Sequence, residues 1–245
     1  MVITSLDNAK IIEVAKLSDK KYRKLSGQYV IEGARLVSDA LKHGAEVISV
    51  YVRESDANEF NFANQTVVSD KAFAKMSDTV NSQGVLAVVK KAENALTAPT
   101  GNCLVLDGLQ DPGNVGTLIR TAAACGFTDI YAVNSVDLYS PKVLRSAMSA
   151  HFCVRLHELD TVEEAFAILQ GVQIVSAHMG GENVFSAHFG KRVALVLGNE
   201  GNGLSDYSRR HATKTVALPM ANDFESLNVA VAGSVIMYQI YSQNR

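Results

Sequence analysis

Three Gly- and Asn-rich segments carry most of the polar side chains that could do chemistry in this 245-residue chain. They are DGLQDPGNVGTLIR (107–120), LGNEGNGLS (197–205) and LPMANDFESLNVA (218–230). In the first, Asn114 and Arg120 stand six positions apart. A guanidinium is a planar fork that suits a phosphate or carboxylate, and equally a surface ion pair. In the second, Glu200 lies inside a glycine cluster, where it is either a helix-capping acid or a polar contact to a ligand. Glycine lets a backbone approach a ligand closely, and it also makes plain tight turns. In the third, Ser226 and Asn228 suit a helix N-terminus, where they cap it or leave its N–H groups for an anionic or polar ligand. Met220 and Phe224 would line an apolar slot or pack into the core.

Several chemistries do not fit. The glycine order G-N-E-G-N-G is not G-x-G-x-x-G, and no G-K-[ST] follows, so a dinucleotide fingerprint or phosphate loop is disfavoured. A nucleotide hydrolase would also need metal carboxylates, and no Cys, His or acidic cluster has ligand spacing. No metal is expected. No G-x-S-x-G elbow supports a serine hydrolase.

The three segments follow apolar stretches read as strands, and this alternation must position them. In the first part, a helix is expected from Ile3 to Leu17, capped by Ser5 or Asp7. Strands are expected at Tyr29–Ile31, Val47–Val52, Gln65–Val68 and Val85–Val89. Helices are expected over EGARLVSDALKHG and from about Asp70. KAENALTAPTG (91–101) reads as a linker. The second part predicts strands at Cys103–Leu106, Ile130–Val133, Phe152–Leu156, Val172–Ala177, Val193–Leu197 and Thr215–Leu218. DPGN reads as a turn. Helices are expected at Val115–Cys125, Pro141–Ala150, Thr161–Leu169 and Ser226–Tyr241. Unbroken apolar strands between helices imply a parallel sheet covered on both faces. Ligands then sit beyond the carboxyl ends of the strands, where all three polar segments fall.

Apolar residues make up 47% and charged residues 20%, which excludes disorder, collagen and a coiled coil. No apolar run is long enough to span a membrane, and MVITSLDNAK lacks the pattern of a signal peptide. Cys103, Cys125 and Cys153, odd in number and widely spaced, argue for reduced, buried thiols in a cytoplasm. The net charge of −2 excludes a strongly basic nucleic-acid coat, so phosphate recognition must be local. Residues 1–95 carry a net +1, and Lys16, Lys20, Lys21, Arg23 and Lys24 are bunched around Tyr22. That bunch is either a solvated helix end or a patch that tracks a nucleic-acid backbone.

DPGNVGTLIRTAAACGF, LVLGNEGNGLS and LPMANDFESLNVAVAGSVI, in this order and spacing, resemble the three motifs of the TrmH-like branch of the SPOUT RNA methyltransferases. KLSDKKYRKLSGQYVIEGARLVSDAL and DTVNSQGVLAVV resemble that family's N-terminal substrate-binding domain, itself similar to certain ribosomal proteins. The resemblance implies an α/β fold: a small RNA-binding domain (1–95), then a parallel-sheet SPOUT domain (102–245) with a trefoil knot, forming a homodimer. It implies methyl transfer from S-adenosylmethionine to a ribose 2′-hydroxyl of rRNA or tRNA. The cofactor residues implied are Leu197, Gly198, Leu218, Met220 and Leu227, with Ala177 and His178 near the adenosine. Asn114, Arg120, Glu200, Ser226 and Asn228 match the family's conserved polar positions and are the candidate catalytic group. SPKVLRSAMSA adds Lys142 and Arg145 to Lys20, Lys21, Arg23 and Arg35 as candidate RNA contacts.

The chain departs from the family pattern at four positions. Gly is usual at Asn222 and Ser149, Ser at Ala230, and Pro at Ser82. Asn tolerates positive φ, so Asn222 is expected to preserve its turn. A guanidinium stays protonated, so Arg120 is expected to clamp a phosphate and stabilise a developing oxyanion rather than act as a base. The alternative class of function is an RNA-binding or assembly module that keeps the fold without turnover.

Overall fold

The computed structural model describes residues 2–222 and 226–244, so Phe224, a candidate for the apolar slot, lies outside the described residues. The chain forms two compact units: Met1–Glu93 with Tyr139–Leu144, and Asn94–Leu138 with Arg145–Arg245.

The first unit contains α1 (Ala9–Lys16), α2 (Lys20–Ser26), β1 (Gln28–Glu32), α3 (Ala34–Lys42), β2 (Val47–Arg53), β3 (Gln65–Val68), α4 (Asp70–Met76) and β4 (Val85–Lys90). Its sheet runs β1-β4-β2-β3, with β4 antiparallel to both neighbours and β2 parallel to β3. The central strand β4 is buried from Val85 to Val89, which is why it reads as a continuous apolar run. Ile11 and Val14 of α1 pack with Phe73 and Met76 of α4 over Tyr51, Leu86 and Val88. The first helix starts later than its sequence suggests. Ile3 bridges Val68 in an extended conformation, which consumes the residues before the helix, and Asn8 rather than Ser5 or Asp7 provides the cap. The basic bunch forms its own helix, α2, capped by Asp19 and closed by Gly27 at φ 65°.

The second unit contains β5 (Cys103–Asp107), α5 (Pro112–Ala124), β6 (Asp129–Val133), β7 (Arg155–Leu159), α7 (Val162–Ala167), β8 (Gln173–Asn183), β9 (Val193–Gly198), α8 (Asp206–His211), β10 (Lys214–Ala217) and α9 (Val229–Gln243), while α6 (Pro141–Ala147) is divided between the units after Leu144. A 3-10 segment, Met148–Phe152, follows α6. The sheet order is β10-β8-β9-β5-β6-β7, and every pairing is parallel. Alternate residues serve opposite faces. Cys103, Val105, Ala194 and Val196 pack under Phe166 of α7 and Leu204, with Tyr207 of α8 against them. On the other side, Gly233 of α9 approaches Leu197 and Leu118 so closely that a Cβ would meet them at 2.5 and 2.6 Å.

Three expectations are corrected here. DPGN is a helix start and not a free turn: Asp111 caps α5 through the Asn114 N–H (2.8 Å), and Pro112 takes the first turn, where its missing N–H costs nothing. The seventh strand, β7, begins at Arg155 instead of Phe152. Its start is fixed by buried Asp129, whose carboxylate accepts from Arg155 Nη2 (2.7 Å), with His157 Nε2 at 3.1 Å. Cys153 is exposed, unlike Cys103 and Cys125. Within the segment read as a linker, Asn94 donates to the Leu156 carbonyl and the Thr97 carbonyl accepts from the Tyr131 hydroxyl. Among the described residues, no helix is long and apolar enough to cross a membrane.

Candidate functional site

The carboxyl ends of β5, β9 and β10 each release one of the Gly/Asn-rich segments, and β8 contributes a fourth wall. β8 leaves its ladder with β10 after Ser176, which pairs with Thr215, and rejoins it at Glu182, opposite Val216. Residues 177–181 form the excursion. Gly181 passes so close to the Thr215–Val216 backbone that a Cβ would lie 2.7 Å from it. At the end of β9, Gly198 is tighter still, with a would-be Cβ 2.3 Å from the Gly203–Leu204 backbone.

The second and third segments and the β8 excursion line a cavity of ≈ 390 Å³. The end of β9 supplies Leu197 and Gly198, the segment after β10 supplies Leu218, Met220 and Leu227, and the β8 excursion supplies Ala177 and His178. All seven residues singled out for the cofactor thus share one wall. Val216, Leu204 and Ile236 make its apolar floor, and Glu200, Ser226 and Asn228 its polar edge.

A hydrogen-bonded chain links the three segments. Asn228 caps α9, its Oδ1 accepting from the Ala230 and Val231 N–H groups at 2.9 and 3.2 Å. This fixes its amide, so Nδ2 donates to Asn114 Oδ1 at 2.9 Å. Asn114 Nδ2 in turn donates to Glu200 Oε1 at 3.1 Å. The Glu200 carboxylate also accepts the backbone N–H groups of Asp111 (3.2 Å) and Gln110 (3.3 Å). Burial pushes the Glu200 carboxyl up. The hydrogen bonds it accepts from its own N–H, from Asn114, and from the Asp111 and Gln110 amides outweigh that and hold it below the usual carboxylate range. It is therefore an anion facing the start of α5. Ser226 lies outside the helix it was expected to begin; it borders the cavity but does not cap α9.

The other candidates are placed differently. Arg120 is exposed on α5, about 9 Å along the helix axis from Asn114 by helical rise, and is not part of the chain of amides. Lys20 and Lys21 are exposed on α2. Arg35 is exposed on α3, with its Nε 3.8 Å from Asp39. Arg23 is turned inward at 4% exposure, its Nη1 donating to the Leu17 and Ser18 carbonyls at 2.6 and 2.7 Å. Its cation closes the end of α1 and is withdrawn from any solvent-side patch. Lys142 and Arg145 are exposed on α6.

The four departures also resolve locally. Asn222 adopts φ 61°, as its turn demands. Ser82 Oγ accepts the Gly84 N–H at 3.1 Å, a local turn bond that the family's usual proline, with no hydroxyl, could not make. Next to Ser149, positive φ falls on Met148 (55°), not on Ser149. Ala230 is buried in the first turn of α9. Sequence reasoning missed Asp107 and Asn199, which tie the second segment down. An acid ending an apolar strand and an Asn beside a glycine were the available signals.

Residues 101–238 match the SpoU rRNA Methylase family, and residues 8–87 match the MRM3-like substrate binding domain. The chain is 34% identical to an uncharacterized tRNA/rRNA methyltransferase of Synechocystis sp., over 98% of this chain and 93% of that one. It is 32% identical to the 23S rRNA (guanosine(2553)-2'-O)-methyltransferase RlmP of Bacillus subtilis, over 97% of this chain and 98% of that one. Its fold superposes on an AdoMet-bound rRNA methyltransferase from Sinorhizobium meliloti with a TM-score of 0.85 at 27% identity, covering 98% and 96% of the two chains. With more than half its length inside one family model and full-length relatives above 30% identity, the chain belongs to the SpoU rRNA methylase family.

Proposed function

We propose that this chain transfers the methyl group of S-adenosylmethionine to a ribose 2′-hydroxyl of ribosomal RNA. The observation that carries this reading is the convergence of the second and third polar segments and the β8 excursion on one cavity, with an ionised Glu200 at its edge that the Asn114 amide ties to Asn228. The cavity suits the cofactor. Its ≈ 390 Å³ falls in the range of small-molecule sites, and its wall joins aliphatic side chains to loop backbone and a few polar groups. Leu197, Gly198, Leu218, Met220 and Leu227 would hold the molecule, with Ala177 and His178 toward its adenosine. When bound, it supplies an electrophilic methyl on a sulfonium.

The chain's own residues then position and stabilise. Asn228, Asn114 and Glu200 lock the first segment to the second and third, so α5 is set in height and rotation. Arg120, carried on that helix, grips the phosphate beside the target ribose and stabilises negative charge on its 2′ oxygen. Its guanidinium remains protonated, so the hydroxyl proton leaves to an RNA phosphate or to water. Holding oxygen and methyl in line draws on the roughly 7–11 kcal/mol available from positioning. Ser226 shapes the third segment. Lys20, Lys21 and Arg35 grip the RNA from the first unit, and Lys142 and Arg145 add contacts from α6.

We read the backbones that cross without room for a Cβ at Gly181 and Gly198 as the trefoil knot. We read the chain as a homodimer, supported by Val231 and Tyr238 exposed along α9, and its compartment as the cytoplasm. The test is mass-spectrometric mapping of ribose methylation in total RNA from cells with and without the gene. One ribosomal 2′-O-methyl group is expected to vanish; identical maps would overturn the reading.

A further inference from the structure

We propose that Asn199 is a positioning residue: it stakes the second segment to the end of β5 and thereby sets Glu200 against Asn114. The inference rests on the methyltransferase reading and adds a residue to its machinery.

Asn199 uses its amide in both senses. Oδ1 accepts the Gly201 and Asn202 N–H groups, each at 2.9 Å, and so shapes the turn. Nδ2 donates to the Gly108 carbonyl at 2.8 Å, one residue beyond β5. Its backbone closes the loop through a two-way bridge with Gly203, at 2.9 and 2.8 Å. The far end of the same loop is pinned by Asp107, whose buried Oδ2 accepts the Ser205 N–H (2.9 Å) and the Ser208 hydroxyl (2.7 Å). Between the two stakes sits Glu200, gripping Gln110, Asp111 and Asn114. The two segments are therefore joined side by side, at Gly108 through Asn199 and at 110–114 through Glu200. Neither an alanine nor a hydroxyl can supply both halves of the amide's work. An aspartate keeps the turn-shaping acceptor but sets an oxygen against the Gly108 carbonyl, which repels it and leaves that carbonyl only the longer bond from Gln110 Nε2 (3.2 Å).

Asn199→Asp separates the tie from the turn. Misplacing a reacting constellation by about 1 Å costs about a hundredfold. The variant should therefore lose roughly ten- to a hundredfold in kcat and bind S-adenosylmethionine about tenfold more weakly by calorimetry, with a melting temperature close to that of the unchanged protein. Asn199 and Asn114 share no hydrogen bond, so any coupling between them must pass through Glu200. Asn114→Ala should accordingly cost much less in the Asn199→Asp background than alone. Independent, multiplicative losses, or affinity and turnover within about twofold of the unchanged protein, would overturn the proposal. Hydrogen exchange on the unaltered chain keeps the test open if the variant does not fold. Slowed Gln110 and Asp111 amides, which Glu200 accepts across the two segments, support the tie, and exchange at the rate of an unstructured peptide refutes it. An unaltered chain that exchanges slowly there yet binds no S-adenosylmethionine would sink the methyltransferase reading and leave the loop architecture standing.

Discussion

Arg120 and Asn114 came from one polar segment of the sequence, yet the structure gives them different kinds of work. Asn114 is held at both ends of its amide, while Arg120 stands exposed on α5. An exposed guanidinium aimed at RNA acts through its two-pronged geometry, which an ammonium cannot copy. We predict that Arg120→Lys lowers kcat about a hundredfold, the cost of one lost oxyanion donor, while calorimetry finds S-adenosylmethionine affinity unchanged. Near-normal turnover would remove the need for the fork. His151 shows what residue types alone could not reveal. It is a histidine among six with no motif around it, yet it is buried with Nε2 2.7 Å from the Leu138 carbonyl. Burial pulls its pKa down to about 4, against smaller upward pulls from that carbonyl and Asp137. The folded state thus keeps the ring neutral while the unfolded chain protonates it near pH 6.5. Its contribution is complete above pH 6.5 and is lost as pH falls toward 4, a window of about 3 kcal/mol. Urea midpoints measured across that range should drop more steeply for the unaltered protein than for His151→Gln. Parallel curves would show that His151 does not set the acid sensitivity.

At the scale of elements, sequence reading succeeded where one periodicity ran through a whole element. The strands carrying the site, β5, β9 and β10, are apolar runs, and their ends were placed within about one residue. It failed where polar side chains do structural work. The start of β7 was misplaced because Arg155 and His157, which look like surface residues, converge on buried Asp129. α2 and α8 were not predicted as helices, being only seven and six residues long, although Asp19 and Ser205 cap them and Gly27 closes the first. Nor could local pattern reveal that β8 leaves its ladder at Ser176 and rejoins it at Glu182, since the register shift lies in its pairing with β10, a strand distant in sequence. The glycine cluster was ambiguous between a turn and a ligand loop because it serves as both. Gly198 makes the case sharply: a Cβ there would meet backbone, not the yielding tip of a side chain, at 2.3 Å. We predict that Gly198→Ala pushes the Gly203–Leu204 backbone aside, breaks the Asn199–Gly203 bridge and costs about 1–3 kcal/mol in urea unfolding. S-adenosylmethionine binding should fall at least tenfold. By contrast, Gly233→Ala meets only leucine methyls and should retain binding. Equal effects from the two substitutions would argue against a backbone crossing at Gly198.

At the scale of the whole molecule, composition was least informative. A net charge of −2 says nothing of RNA, because the cations that matter are few and local. Lys20, Lys21 and Arg35 are exposed on the first unit, and Arg23, bunched with the lysines in sequence, is consumed by the end of α1. A count of basic residues therefore overstates the patch, and only the fold shows which side chains stay in water. If these three cations contact phosphates, replacing them together with Gln releases that many fewer counterions on binding. The slope of log affinity against log salt should then flatten by about two for single-stranded RNA. The cavity wall is drawn wholly from residues 177–236, so S-adenosylmethionine affinity should not move. Adding Arg23→Gln should act differently, lowering the melting temperature through the two carbonyls it leaves without a charged donor, with little further change in slope. An unchanged slope in the triple variant would move RNA recognition away from this face, and a further steep loss on removing Arg23 would show that its buried cation still reaches RNA.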